Sequence, residues 1–269
     1  MKYYYTIAAL PDLPGYRSVL EPDEITGALE LIERNLEPGD GRIFRYLRYP
    51  VDHSNIICAI IEECHGIDLP HNPMSVFPVD LIRNFRNHKD QLPDYMRTFI
   101  IEHEDRLSEY TIQTLEESLY SLFMNEMESN TNEFVRSYFH FDHQLRSIAA
   151  VINARVFGTD AHSELIDPRL SRMLGKTGDQ DALMEFPYLE KLSEALNSRH
   201  PDKIIDRVDR IKWTYIDDQV ATAPFSLDHL LGYYLKLMIV KRRSELQQAE
   251  ARKSINVILN ESLQNYETI

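Results

Sequence analysis

TNEFVRSYFHFDHQLRSIAAVINARVFG, residues Thr131–Gly158, carries every signal of one long buried helix, and the fold class follows from reading it. Asn130, Thr131 and Asn132 are all residues that cap helix N-termini, and Glu133 places negative charge in the first turn, where the helix dipole favours it. Phe134, Tyr138, Phe141, Leu145, Ile148, Ile152 and Val156 recur at steps of three and four, which sets them on one face. Arg155 stands in the last turn, and Gly158 suits a left-handed C-cap. The spacing predicts a helix of about seven turns at 3.6 residues per turn.

The rest of the chain reads the same way. Tyr3–Leu10 is apolar on both sides and is expected to be a short buried helix, stopped at Pro11-Asp12-Leu13-Pro14-Gly15. Glu21-Pro22-Asp23-Glu24 opens a helix that Pro38-Gly39 should end. Ile43, Phe44 and Leu47 then form a short helix broken before Pro50, and a new one starts with Asp52 or Ser54 as its cap and stops at Gly66. After a proline-containing loop over 67–78, short helices follow at Val79–His88 and Pro93–Arg106, and a longer one at Ser108–Glu128. Asp167-Pro168 and Gly175-Lys176-Thr177-Gly178 punctuate 159–180, before a short helix over Phe186–Leu196. From Pro201, Ile204, Ile205, Val208, Ile211, Lys212 and Tyr215 mark a helical face, and Ser226 caps the last and longest pattern, which reaches to about Gln264 with a bend or split near Arg243. No strong period-two strand interrupts this, so the expected class is all-α. The expected organisation is a single helical domain over 1–269, with smaller helical units at 1–78, 79–175 and 176–269.

Composition narrows the function classes. A chain of 269 residues with 43% hydrophobic and 27% charged residues can bury a core without staples. Its nine glycines are few for a dinucleotide-binding fold. A formal charge of −14 argues against nucleic-acid partners, with Lys241-Arg242-Arg243 the best local basic patch and otherwise a solvated helix turn. Cys58 and Cys64 face different sides of a helix and read as reduced thiols. Met1–Leu10 does not read as a secretory leader, and the apolar run Leu230–Val240, interrupted by Lys236, is too short to span a membrane. The expected setting is cytoplasmic, with peripheral attachment to the cytoplasmic face of a membrane only through a complex.

Chemistry is sparse. Gly175-Lys176-Thr177 ends like a phosphate-binding loop, but Leu170 stands where the first glycine is needed. Glu62 and His65 form one Glu-x-x-His, without the second copy a di-iron bundle requires. His140 and His143, with Asp142 or Glu133, fall short of the ligands a structural zinc needs, and packing beside the aromatic face explains them. Tyr110 and Tyr120 sit at helical spacing and read as packing residues. No catalytic, cofactor-binding or metal-ligating set is assigned, and no cofactor is expected.

One pattern remains. Asp52-His53, Asp142-His143 and Asp228-His229 recur at near-even spacing, each ahead of an apolar helical run: DHSNIICAIIEE, DHQLRSIAAVIN and DHLLGYYLKLMI. Asp52 and Asp228 fall near the expected helix starts, Asp142 mid-helix. A threefold helical repeat of this kind resembles the C-type, rotor-linking component of bacterial and archaeal V/A-type ATPases, whose eukaryotic counterpart is the d-type component. Asp52-His53-Ser54-Asn55 resembles its Asp-x-x-Asn element, and Asp142 through Asn153-Ala154-Arg155 and Phe157-Gly158 a looser copy. Leu145 and Leu231 stand in place of the asparagine in the second and third units. Tyr3-Tyr4-Tyr5 with Leu10-Pro11-Asp12-Leu13, and Phe141-Asp142-His143-Gln144-Leu145-Arg146 with Asn153-Ala154-Arg155, resemble an uncharacterised bacterial family whose genes often lie among V-type ATPase subunit genes.

The resemblance implies a funnel of three helical units and a non-catalytic adaptor or linker that couples a V-type proton- or sodium-translocating ATPase's rotor ring to its central stalk. Its implied partners are proteins of the ring and stalk. Lys241–Arg243 and the acidic Glu102–Glu109 face are candidate contact surfaces, each otherwise read as ordinary solvated helix. The other readings are a stand-alone helical interaction protein and a metal-dependent helical enzyme built on His140, His143 and Glu62.

Overall fold

The structure is a computed structural model that describes residues 2–158, 170, 173–174 and 180–266, with side chains up to residue 248 apart from 180 and 181. Among the described residues the fold is all-α. The α-helices are α1 (Tyr4–Ala9), α2 (Pro22–Asn35), α3 (Pro38–His65), α4 (Val79–Arg83), α5 (Phe85–His88) and α6 (Asp94–His103), then α7 (Ile112–Glu128), α8 (Glu133–Phe157), α9 (Gln180–Glu185), α10 (Leu189–Asn197), α11 (Pro201–Val220) and α12 (Leu227–Tyr266). The chain forms two compact units, one of Met1–Glu37 with Asp209–Ile269 and the other of Pro38–Val208.

In the first unit, α2 starts with proline at its first position, and the Glu24 carboxylate accepts the backbone N–H of Glu21 at 2.9 Å. Its stripe of Ile25, Ala28 and Ile32 is buried, and α2 packs on α12. Ser226 caps α12 as the sequence suggests, its Oγ accepting the N–H of His229 at 3.1 Å. Leu230, Tyr234, Leu237 and Val240 then bury a continuous seam. The helix runs without a break past Arg243.

The face of α11 differs from the expected one. Asp209, Trp213, Ile216 and Val220 are its regularly spaced buried positions, together with Ile211. The cause is electrostatic: Asp209 is fully buried between Arg242 and Arg243, and a buried carboxylate needs such partners. The Arg243 bond measures 3.1 Å, and the same guanidinium lies over the Tyr16 ring. Lys241 is paired with Glu245. The expected basic patch is therefore taken up in ion pairs, two of them closing α11 onto α12.

In the second unit, α3, α7 and α8 pack on one another, with α6 against α7 and α10 against α8. The opening stretch behaves as its residues require. Asn132 is the cap, its side chain accepting the Val135 N–H at 2.8 Å, and Gly158 adopts φ 66° as the left-handed stop. The buried surface of α8 is wider than one stripe, because Val135, Phe139, Asp142 and Val151 are buried as well. A helix flanked by α3 and α7 and also by α10 has more than one inner side.

Two boundaries near α3 depart from expectation. Pro38 opens α3 instead of merely ending α2, as proline suits a first helical turn. Pro50 lies inside α3, where it removes one backbone bond at a cost of about 3 kcal/mol. Burying Phe44 and Leu47 before it and Ile56, Ile57 and Ile60 after it, at roughly 1.5–3 kcal/mol per side chain, outweighs that cost. Continuity places Asp52 in mid-helix, so it caps no helix start. Asp142 is also mid-helix and buried, whereas Asp228 is the second residue of α12 and only half-buried.

Candidate functional site

One face of α3, carrying Arg48, Asp52, Asn55 and Glu62, holds the loop over 66–78. The Asp52 carboxylate accepts the backbone N–H groups of Val76 and Phe77 at 3.1 and 3.0 Å. Asn55 accepts the N–H of Asn72 at 2.8 Å and donates to its carbonyl at 2.9 Å. Arg48 donates to the carbonyls of Met74 and Ser75, each at 3.0 Å, and Glu62 accepts the N–H of Leu69 at 2.9 Å. The Asp-x-x-Asn element is thus a loop clasp. Its spacing of three puts both side chains on one helix side, where they satisfy backbone groups that the loop cannot pair for itself.

The next face of α3, with α7 and α8, bounds a groove of about 480 Å³. Here two of the repeated Asp-His elements meet: His53 from α3 and Asp142 and His143 from α8 all line it. His53 Nε2 lies 2.8 Å from Tyr95 Oη, and its ring abuts Phe123 edge-on. Burial pushes the His53 imidazole down to about 3, so the ring is neutral at ordinary pH. Burial likewise raises the Tyr95 phenol far above its usual range and Tyr49 up to about 12.

On the other wall, Arg146 Nε bonds the Asp142 carboxylate at 2.7 Å, and its guanidinium covers the Tyr120 ring with 5.5 Å to the centroid. The His143 ring centroid is 5.8 Å from that of Tyr120. The Tyr120 hydroxyl is sealed from solvent and has no hydrogen-bond partner among the described residues. Burial, then the nearby Asp142 carboxylate, raises its pKa. Glu116 and Glu117 stand on the α7 side of the groove.

This arrangement is suited to binding. The phenols resist ionisation, and the Cys58 and Cys64 thiols are unbonded and raised, chiefly by burial. The Asp52 carboxyl is raised to about 6 by burial, against the opposing pull of its two backbone bonds. Both its oxygens are already engaged by Val76 and Phe77.

The other sequence candidates lie apart. His140 is exposed and does not line the groove, and Glu133 is an exposed first-turn acid. Glu62 is engaged by Leu69 and Arg83, and exposed His65 ends α3. Among the described residues no group of three or more His, Cys, Asp or Glu is placed to hold a metal ion. The Tyr110 ring packs on His103 at 5.0 Å. On the Glu102–Glu109 face, Glu104 is paired with Lys89 at 2.8 Å, while Glu102, Asp105 and Glu109 are exposed. Gly175-Lys176-Thr177 lies outside the described residues. No helix among the described residues is long and apolar enough to cross a membrane.

Sequence reasoning missed Arg48 and Tyr95. The regular offsets between Arg48, Asp52 and Asn55 are a signal for the first, whereas Tyr95 reaches His53 only through tertiary packing. The family model described as "Protein of unknown function (DUF2764)" matches residues 1–262. No curated protein and no solved structure matches the chain. With nearly its whole length matched, the chain belongs to the DUF2764 family.

Proposed function

We propose that this protein is a non-catalytic helical adaptor that resembles the C-type (eukaryotic d-type) rotor-coupling component of a V-type ATPase and works by binding protein partners. The observation that carries the reading is the use made of its repeated aspartates. Asp52 spends its carboxylate on the backbone of Val76 and Phe77, and Asp142 is bonded to Arg146. These are architectural roles, as expected of a protein that acts by shape. The motif that resembles the Asp-x-x-Asn element, Asp52 to Asn55, is the same one that fixes the 66–78 loop against α3. Asp52 and Asp142 also share a mid-helix, buried setting, which suits two copies of one ancestral helical unit.

In this reading the central-stalk or rotor-ring proteins are the partners, and any association with a membrane runs through them. Affinity purification of the tagged chain under gentle detergent tests it. Co-recovery of those ATPase proteins supports the adaptor role. Recovery of the chain without them counts against the ATPase assignment.

A further inference from the structure

We propose that the groove between α3, α7 and α8 receives an arginine side chain from a protein partner. This rests on the adaptor reading and names the chemistry of the contact. Three carboxylates, Glu116, Glu117 and Asp142, line the groove against one guanidinium, Arg146, so the site carries net negative charge. At about 480 Å³ it has room for more than one long side chain.

The protein already shows how a cation sits there. Arg146 places its guanidinium over the Tyr120 ring while bonding Asp142, combining an aromatic face with a carboxylate. Glu116 and Glu117 repeat the acidic half of that arrangement on α7, with exposed Glu116 at the surface. Tyr120 and Phe139 supply the aromatic side of the groove's lining, against which an entering guanidinium can lie. An anionic ligand meets three carboxylates, and its best donor, Arg146, is already committed to Asp142. Charge therefore selects a cation, and the guanidinium's planar fork matches paired acids and aromatic rings better than an ammonium does.

The test uses the full chain and a capped Arg-Gly-Arg peptide, with binding followed by calorimetry and by backbone amide NMR. The expected result is saturable binding whose shifts centre on α7 and α8. Binding should weaken about five-fold in E116Q/E117Q, the size of effect that surface charge pairs give. It should be unchanged in E102Q/D105N, which removes the same charge from another surface. The citrulline-substituted peptide should not bind. Absence of binding, equal weakening in both double variants, or equally tight binding of spermidine would overturn the proposal. If the peptide fails to bind while ATPase proteins still co-purify, the groove assignment falls and the adaptor reading stands.

Discussion

Asn55 and Asn72 form a reciprocal pair in which the Asn55 amide donates to the Asn72 carbonyl at 2.9 Å and accepts the Asn72 N–H at 2.8 Å. A side chain in mid-helix thereby completes the backbone of a loop seventeen residues away in sequence. The clasp should be a stability determinant. Asn55→Ala leaves both backbone groups of Asn72 without these partners, at a cost of about 1–3 kcal/mol each if they stay dry. Urea unfolding should show a loss of roughly 1–3 kcal/mol, because water reaches exposed Asn72 and replaces part of what is lost. Hydrogen exchange should accelerate first at Asn72, Val76 and Phe77. Uniform acceleration across the molecule would point to some other cause.

Asp52 gives the clasp a pH signature. Its carboxyl is raised from 3.8 to about 6 in the folded chain, first by burial, so the folded state holds the proton more tightly than the unfolded state. That contribution to stability is present below about pH 4 and is lost as pH rises through about 6. At about 1.4 kcal/mol per pH unit it amounts to at most ~3 kcal/mol. Asp52→Asn removes this dependence. The stability of the native chain relative to the variant should therefore decrease between pH 4 and 7, measured by denaturant unfolding at fixed ionic strength.

His53 has the opposite sign. Its folded pKa, about 3, is far below the ordinary value of 6.5, so the unfolded chain takes up a proton that the folded chain refuses. The associated stability is present above pH 6.5 and is lost as pH falls towards 3. Nitrogen-15 NMR of the ring at pH 5 should show a neutral imidazole with one protonated nitrogen. His53→Phe should flatten the acid limb of the unfolding curve while losing the contact with the Tyr95 hydroxyl.

The buried Asp209 carboxylate and its two arginines should respond unequally to removal of the acidic and the basic side. Asp209 is fully buried, while the Arg242 and Arg243 side chains retain 48% and 18% exposure. Removing both arginines strands a charge in the core, at about 3–5 kcal/mol. Asp209→Asn leaves two guanidinium groups that turn towards water, and it should cost less. Thermal or denaturant unfolding of R242A/R243A against D209N checks the order. Equal losses would contradict the arrangement of α11 on α12.

Much of the fold is legible in the residues alone. α8 has its cap, stripe and glycine stop written locally, and Asn132 and Gly158 perform the roles their chemistry suggests. α12 is marked in the same way by Ser226. Pro50 is where local rules mislead, since proline argues for a break and only the burial of five apolar neighbours on α3 overrides it. The face of α11 is misread for a related reason: the hydrophobic pattern gives no weight to Asp209, whose burial depends on arginines on another helix. The groove is half legible. The Asp-His repeats call attention to His53 and His143, but their convergence with Tyr120 and Glu116 is a product of helix packing that spacing does not encode.

The adaptor role proposed for this protein is tested most directly by recovering its partners. The tagged full-length chain should be purified from cells under gentle detergent and its co-purifying proteins quantified against the chain itself. V-type ATPase central-stalk or ring proteins in near-stoichiometric amounts are the expected result. Recovery of the folded chain with none of those proteins would contradict the adaptor role proposed for it.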